Sequence, residues 1–197
     1  MYKRLKKDSK WSILNLGKFE ISNIKKEVAS FSEEWDLFTL RQKTYDVHKF
    51  TKTFPICLSN IESWDPKNPV EVTQMYQFKD KDAKIEINNI FNKLKEYYCG
   101  EIIGCEVVNL PANTNIKKHL DGGALLNYSR RVHIPIITNK NVTFTVMDNS
   151  INMEESNWYE INNQMTHSVD NNSDFDRVHL IIDIMPNNML NYTKTGE

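Results

Sequence analysis

The stretch EIIGCEVVNLPANTNIKKHLDGG, residues 101–123, decides the fold class of this 197-residue chain. Two runs rich in apolar residues lie on either side of a Pro-Ala-Asn segment that favours a turn, which predicts two short strands. Similar runs follow toward the C-terminus, separated by Asn, Gly, Asp and Ser: SRRVHIPII, VTFTVM, NWYEINN and DRVHLIIDIM. Six or more short strands at this spacing predict a sandwich or barrel of the jelly-roll type.

The first hundred residues have a mixed pattern. The predicted elements are strands at residues 11–21 and 54–58 and helices at residues 22 to about 35 and 82–98. Asp82 is the expected N-cap of the second helix, and Gly100 is placed to end it. Ile85, Ile87 and Ile90 belong to its predicted apolar stripe. We therefore expect a mainly β protein whose flanking helices pack on the outside of one sheet.

Composition excludes several classes of protein. Forty per cent apolar residues suffice for a core, and a net charge of −1 gives no electrostatic footprint for nucleic acid. The basic start MYKRLKK is followed by no apolar segment of a signal peptide, and no apolar run reaches the length of a membrane span. Cys57, Cys99 and Cys105 are odd in number and lack the spacing of metal ligands. Free thiols are typical of a reducing compartment, so a cytoplasmic protein with no nucleic-acid or membrane partner is expected.

Three residues could form a metal site. On a strand, His119 and Asp121 would lie on the same face, and His167 could join them from a distant strand. Two histidines and one carboxylate leave open positions on the metal, the arrangement used by non-haem Fe(II) oxygenases, whereas structural zinc sites close four positions. The alternative is an exposed polar pair before the Gly122–Gly123 turn.

Three further residues could bind anions. Arg177 opens an apolar strand, which is costly unless its guanidinium meets an anion or lines a wet pocket. The alternative is a local ion pair with Asp174 or Asp176. Arg131 and His133 share one face of another predicted strand, where they line either a pocket or an ordinary solvated surface.

The segments LPANTNIKKHLDGG, RRVHIPIIT, YEINNQMTHSVDN and DRVHLIID, in this order, resemble the aspartyl/asparaginyl β-hydroxylase family of Fe(II)- and 2-oxoglutarate-dependent oxygenases. The resemblance spans about residues 107–186. It implies a cupin-like double-stranded β-helix (a jelly roll) of about residues 101–187. Residues 1–100 would then be a mixed α/β part of the same single oxygenase domain, packed on the barrel.

The resemblance also implies roles for the residues above. His119, Asp121 and His167 would hold Fe(II). Arg131 and His133 would hold the metal-side carboxylate of 2-oxoglutarate. These roles would support hydroxylation of an amino-acid side chain with O2, with release of succinate and CO2.

The resemblance also implies which residue binds the distal carboxylate of 2-oxoglutarate. Arg177 would hold the distal carboxylate of 2-oxoglutarate. A serine that assists it in vertebrate-type members is replaced here by Val108, with Asn109 beside it. His179 is expected to be a hydrogen-bonded core histidine.

The sequence is compatible with more than one class of substrate. Arg41 and His48 are candidates for the substrate pocket, because small members of the family place substrate contacts in this part of the chain. The substrate would be a free amino acid such as proline or a peptidyl Asp or Asn residue. The alternative function is a non-catalytic cupin-like binding module with a structural metal or none.

Overall fold

The computed structural model describes residues 11–60, 70–123 and 125–187, so the basic cluster at residues 1–7 lies outside the described part. Its strands are β1 (Ile13–Lys18), β2 (Lys52–Ser59), β3 (Val72–Gln74), β4 (Gly100–Leu110), β5 (Thr114–His119), β6 (Arg130–Ile137), β7 (Val142–Val146), β8 (Asn149–Ile151), β9 (Asn157–Ile161), β10 (His167–Asn171) and β11 (Arg177–Pro186). Its α-helices are α1 (Ser22–Ala29), α2 (Leu40–Thr44) and α3 (Lys81–Tyr98), and single 3-10 turns occupy Glu33–Asp36, Asp46–His48 and Leu125–Asn127.

The strands form two antiparallel sheets. Seven strands pair in the order β1-β9-β6-β11-β4-β2-β3, and four pair in the order β5-β10-β7-β8. An apolar cluster with contributions from both sheets fills the space between them, and it includes Leu110, Phe144, Ile161 and Val169. This arrangement is a jelly roll, so the predicted fold class is confirmed, and β1, β2 and β3 show that the N-terminal part extends the larger sheet.

Strand alternation divides the larger sheet into two chemically different faces. On β6 and β11 the outward side chains pack in a second core with the helices: Val132, Ile134, Ile136, Val178, Leu180, Ile182 and Ile184. The inward side chains carry the polar groups, among them Arg131 and His133 on β6 and Arg177 on β11. These polar groups therefore face the smaller sheet rather than solvent.

Helix ends differ from the predictions at three points. The N-cap of α3 is Asp80, whose side chain accepts hydrogen bonds from the backbone N–H groups of Asp82 and Ala83. The C-cap is Cys99, with a left-handed φ of 46°, and Gly100 already belongs to β4. A Cβ on Gly100 would lie 2.5 Å from the carbonyl oxygen of Met185, so this glycine permits a close approach of two strands.

The first predicted helix is also shorter than expected. It ends at Ala29 instead of continuing to about Trp35. Phe31 packs its ring against Trp35 and Phe54, with ring centroids 5.6 and 4.9 Å away. Burial of these aromatic rings in the helix-side core takes the chain out of the helical path.

Ile85 of the predicted α3 stripe is 48% exposed and lies off the buried face. Among the described residues, none of the helices has the length and apolar character that crossing a membrane requires.

A buried carboxylate ties α3 to the start of α1. Glu86 accepts hydrogen bonds from the backbone N–H groups of Asn23 and Ile24 at 2.8–3.1 Å, and from the Asn23 side chain at 2.7 Å. Because the first N–H groups of a helix have no partner within the helix, Glu86 takes the place of a side-chain cap.

We expect Glu86→Ala to lower the free energy of unfolding by about 1–3 kcal/mol, because it leaves buried donors without an acceptor. Urea denaturation measures the change. Glu96→Ala is the matched control on the same helix, since Glu96 is exposed and only 3.6 Å from the Lys93 ammonium, and a change within about 0.5 kcal/mol is expected there. Equal losses in the two variants would mean that the cap has no special weight.

Candidate metal and anion site

Strand pairing brings the two predicted histidine ligands together. His119 ends β5 and His167 begins β10, and the two residues are partners in the antiparallel register of these strands. Asp121 lies two residues beyond the end of β5, in the following turn rather than on the strand. Gly123, whose φ of +104° favours glycine, then turns the chain away. Ligand atoms of His119, Asp121 and His167 all lie within 4.8 Å of one another.

Hydrogen bonds to the backbone orient both imidazole rings. Nδ1 of His119 lies 2.7 Å from the carbonyl oxygen of Lys117, and Nδ1 of His167 lies 3.0 Å from that of Met165. A carbonyl oxygen only accepts, so each Nδ1 carries the proton and each Nε2 offers a lone pair. These Nε2 atoms lie 3.9 and 3.7 Å from Oδ1 of Asp121.

The donor set fits a divalent metal ion. Two imidazole nitrogens and one carboxylate oxygen converge, which is a ligand set that binds divalent metal ions such as Fe(II). Burial alone would raise the pKa of Asp121, but Arg131 first and then His167 hold that pKa well below its usual value. Burial lowers the pKa of His167, which keeps its ring neutral and able to coordinate.

Arg131 connects this donor set to a second buried carboxylate. Its Nη1 donates to Oδ2 of Asp121 at 2.7 Å, while its Nε and Nη2 donate to the two oxygens of Asp183 at 2.9 and 2.8 Å. Asp121 therefore presents Oδ1 to the histidines and Oδ2 to arginine. Three of the five guanidinium N–H groups are thus occupied, which leaves two for any ligand in the cavity.

A buried cation, Arg177, also lines this cavity. Arg177 is 1% exposed, and no carboxylate among the described residues lies within ion-pair distance of it. The alternative of a local ion pair is wrong, because Asp176 accepts from Asn109 and Ala112 and Asp174 accepts from Asn113. Burial lowers the pKa of Arg177 to about 9. An arginine in this position needs an anion.

Two histidines surround Arg177. Nδ1 of His179 lies 2.6 Å from Nη2 of Arg177 and 3.5 Å from Nδ1 of His133. His179 is thus the hydrogen-bonded core histidine that was predicted. Nε of Arg177 and Nε2 of both histidines are buried with no hydrogen-bond partner in the described part of the chain. Three unsatisfied nitrogens in one cluster indicate that a polar ligand belongs beside them.

Val108 occupies the wall of the cavity beside this cluster. It is buried, lines the cavity, and pairs with His179 in the register of β4 and β11. Asn109 points elsewhere, since its side-chain amide donates to Asp176 at 2.9 Å. Val108 thus lies between two polar cross-strand partners, His179 of β11 and Thr53 of β2.

The predicted substrate residues lie at the mouth of the same cavity. Arg41 on α2 and the buried His48 both line it, with Nη2 of Arg41 3.3 Å from Nε2 of His48. Arg41 also forms an ion pair with Glu106 of β4, and both side chains are partly exposed. The His48 ring lies 5.1 Å from that of His119, measured between centroids. Burial, assisted by Arg41, lowers the pKa of His48 to about 3, so it is neutral at physiological pH.

Four of the five histidines of the chain line this cavity, and the fifth, His179, contacts His133 and Arg177. Ring contacts join them into two groups, and Phe144 stacks on His167 and meets His133 at an angle of 70°. The groups are His48, His119 and His167 toward the carboxylate of Asp121, and His133 and His179 toward Arg177.

The family follows from a direct match. A family model described as Aspartyl/Asparaginyl beta-hydroxylase matches residues 86–186, just over half of the chain. The chain belongs to this family. Its function is accordingly oxygenase-like. No curated protein matches the chain.

Two solved structures are similar to this hydroxylase-family chain. An oxidoreductase of the 2OG-Fe(II) oxygenase family from Burkholderia pseudomallei is 12% identical, with a TM-score of 0.52, and the match covers 69% of this chain and 68% of the other. A non-heme monooxygenase, ThoJ, in a nickel complex is 10% identical, with a TM-score of 0.51, and covers 89% of this chain and 74% of its own. At these identities the likeness concerns the fold alone.

Two residues of the hydroxylase-family site escaped sequence analysis. Glu106 pairs with Arg41, and Asp183 pairs with Arg131. A signal for both was available, because each is an acidic residue inside a run of apolar strand residues. A carboxylate that is buried or partly buried in such a run favours a cationic partner. The identity of the partner depends on the strand register.

Proposed function

We propose that this chain is an Fe(II)- and 2-oxoglutarate-dependent dioxygenase that hydroxylates an amino-acid side chain and releases succinate and CO2. One observation carries the proposal. A set of three ligands that requires a cation and a buried arginine that requires an anion both line one narrow cavity. A dicarboxylic 2-oxo acid carries the two groups that this set calls for, a chelating group at one end and a carboxylate at the other.

His119, Asp121 and His167 would hold the metal through two Nε2 atoms and Oδ1. When bound, iron(II) supplies the activation of dioxygen, with 2-oxoglutarate as the source of two electrons. The protein's part begins with the fixed rings of the two histidines. Because their Nδ1–H groups are already bound to backbone carbonyls, the orientation of both rings is restricted before the metal enters.

The co-substrate would lie between the metal set and Arg177. Arg177 donates to the distal carboxylate, and its unsatisfied Nε supplies one of the two N–H groups of a planar fork. His133 and the N–H groups of Arg131 that are not bonded to Asp121 or Asp183 would be available to the metal-side carboxylate. Apolar side chains between these ends exclude water from the bound acid: Val108, Ile116, Phe144, Val169 and Ile181.

The amino-acid substrate would enter past Arg41, His48 and Glu106. These residues lie next to His119, so a group held by them is close to the metal set. The Arg41–Glu106 ion pair offers one positive and one negative charge at the entrance, which suits the charged groups of a free amino acid or of a peptide.

The test is release of succinate from 2-oxoglutarate by the anaerobically purified protein after Fe(II) and air are added. A panel of free amino acids and short peptides serves as substrate, and mass spectrometry detects a product heavier by one oxygen atom. We expect succinate formation that depends on both iron and 2-oxoglutarate and that rises with one member of the panel. Iron binding without succinate under any condition would instead identify a non-catalytic binding module.

A further inference from the structure

Asp183 is a buried carboxylate that the proposed reaction does not use. It lies on β11, is 6% exposed, and pairs with Arg131 of β6 in the strand register. Two hydrogen bonds, at 2.9 and 2.8 Å, connect its two oxygens to Nε and Nη2 of Arg131. Because this contact is two-pronged, it fixes the plane of the guanidinium as well as its position.

Arg131 passes this constraint on to a metal ligand. With its plane fixed by Asp183, its Nη1 is directed at Oδ2 of Asp121, 2.7 Å away. Asp121 lies in a turn beyond β5 and has no strand hydrogen bonds of its own to hold its backbone. The side-chain contact to Arg131 therefore sets which oxygen of Asp121 faces the histidines.

Charge gives Asp183 a second effect on the same ligand. An arginine beside a single carboxylate cancels its charge, which would weaken the attraction of Asp121 for a metal ion. With Asp183 on the other side, the three buried groups carry two negative charges and one positive charge. The cluster as a whole remains negative next to the two histidine Nε2 atoms.

We propose that Asp183 is a positioning residue of the metal site: acting through Arg131, it orients Asp121 and keeps the ligand set negatively charged. Asp183 does not line the cavity, so the effect is indirect. The inference rests on the proposed function for the identity of the metal, and concerns a residue that the proposed reaction leaves without a role.

Anaerobic titration with Fe(II) measures the effect. Outer partners of metal ligands typically change affinity by 10–100-fold, so the Kd for Fe(II) should rise by about 10- to 100-fold in Asp183→Asn. Asp183→Glu keeps the charge but displaces it by one methylene, so an intermediate loss of about 3- to 10-fold is expected. Absorption bands of the Co(II)-loaded protein should shift in both variants, because the orientation of Asp121 changes.

Glu160→Gln is the matched control. Glu160 is also buried, at 5% exposure, and also pairs with an arginine of β6, since Nη1 of Arg130 lies 3.1 Å from its Oε1. Its carboxylate does not contact Asp121 or Arg131. The control is expected to lose stability but to keep the Fe(II) affinity and the Co(II) spectrum of the wild type.

Each outcome decides the question. Unchanged Fe(II) affinity in Asp183→Asn, or an equal loss in Glu160→Gln, would overturn the inference and leave a purely structural ion pair. If Asp183→Asn does not fold, Asp183→Glu carries the test, and wild-type affinity in that variant overturns the inference. Failure of the wild type itself to bind Fe(II) would overturn the proposed function instead.

Discussion

His167→Ala is expected to abolish both Fe(II) binding and succinate formation. The substitution removes one of two imidazole nitrogens from the ligand set and leaves Asp121 facing a single imidazole. His119→Ala should have the same result for the same reason. Asp121→Ala should leave a weak site of two histidines, with Arg131 then lacking one of its two carboxylates. Anaerobic Fe(II) titration followed by the succinate assay measures both effects.

Ser168→Ala is the control for this prediction. Ser168 follows His167 on β10, so its side chain points to the opposite face of the strand and should tolerate the change. Wild-type iron affinity in His167→Ala, with a folded protein, would place the metal somewhere else. Wild-type affinity in Asp121→Ala would remove the aspartate from the ligand set.

Arg177→Met is expected to weaken 2-oxoglutarate binding by two orders of magnitude. A charge-assisted, two-pronged contact to a carboxylate contributes about 2–3 kcal/mol when it is desolvated. At about 1.4 kcal/mol per tenfold, this corresponds to a loss on the order of 30- to 150-fold. Arg177→Lys should recover part of the loss, because an ammonium group cannot present the same planar fork. Calorimetric titration of the metal-loaded variants measures the affinities.

The same substitution should not destabilise the protein in the absence of ligand. Arg177 is a buried cation with no carboxylate partner in the described part of the chain, and replacing such a charge by an apolar side chain is often neutral or stabilising. Arg130→Met is the contrasting control, because it breaks the ion pair with Glu160 and should lower stability without changing 2-oxoglutarate affinity. Unchanged 2-oxoglutarate affinity in Arg177→Met would withdraw the main support for the co-substrate.

The sequence predicted the strands of the jelly roll better than the ends of the helices. The pattern of apolar residues and the turn residues between the runs were sufficient to predict β4, β6 and β11, where long apolar runs leave little ambiguity. The N-cap of α3 was misplaced by two residues, because Asp80 and Asp82 both have the side chain of a cap and only the backbone conformation distinguishes them. The bounds of β10 were not predicted, although His167 was expected on a distant strand, since its five residues are mostly polar and its partners lie far away in the chain.

Some residues of the site were likewise predicted from the sequence, and others were not. His119, Asp121 and His167 were brought together in the sequence analysis, and they converge in the structure. The ion pair between Arg131 and Asp183 depends on the register of β6 against β11, which joins residues 52 positions apart. Local patterns contain no information on such a register. They do indicate which face of each strand is polar.

The two candidate substrate residues, Arg41 and His48, lie in a part of the chain that can vary without disturbing the two sheets. Both belong to short helical segments outside the two sheets, whereas the ligands for metal and anion lie on, or just beyond, the strands. Loops and short helices accept insertions and substitutions far more readily than the paired strands of a sheet. Related proteins could therefore acquire new substrates by exchanging residues 36–50 while the reaction centre stays intact, and grafting that one segment offers an engineer the same route.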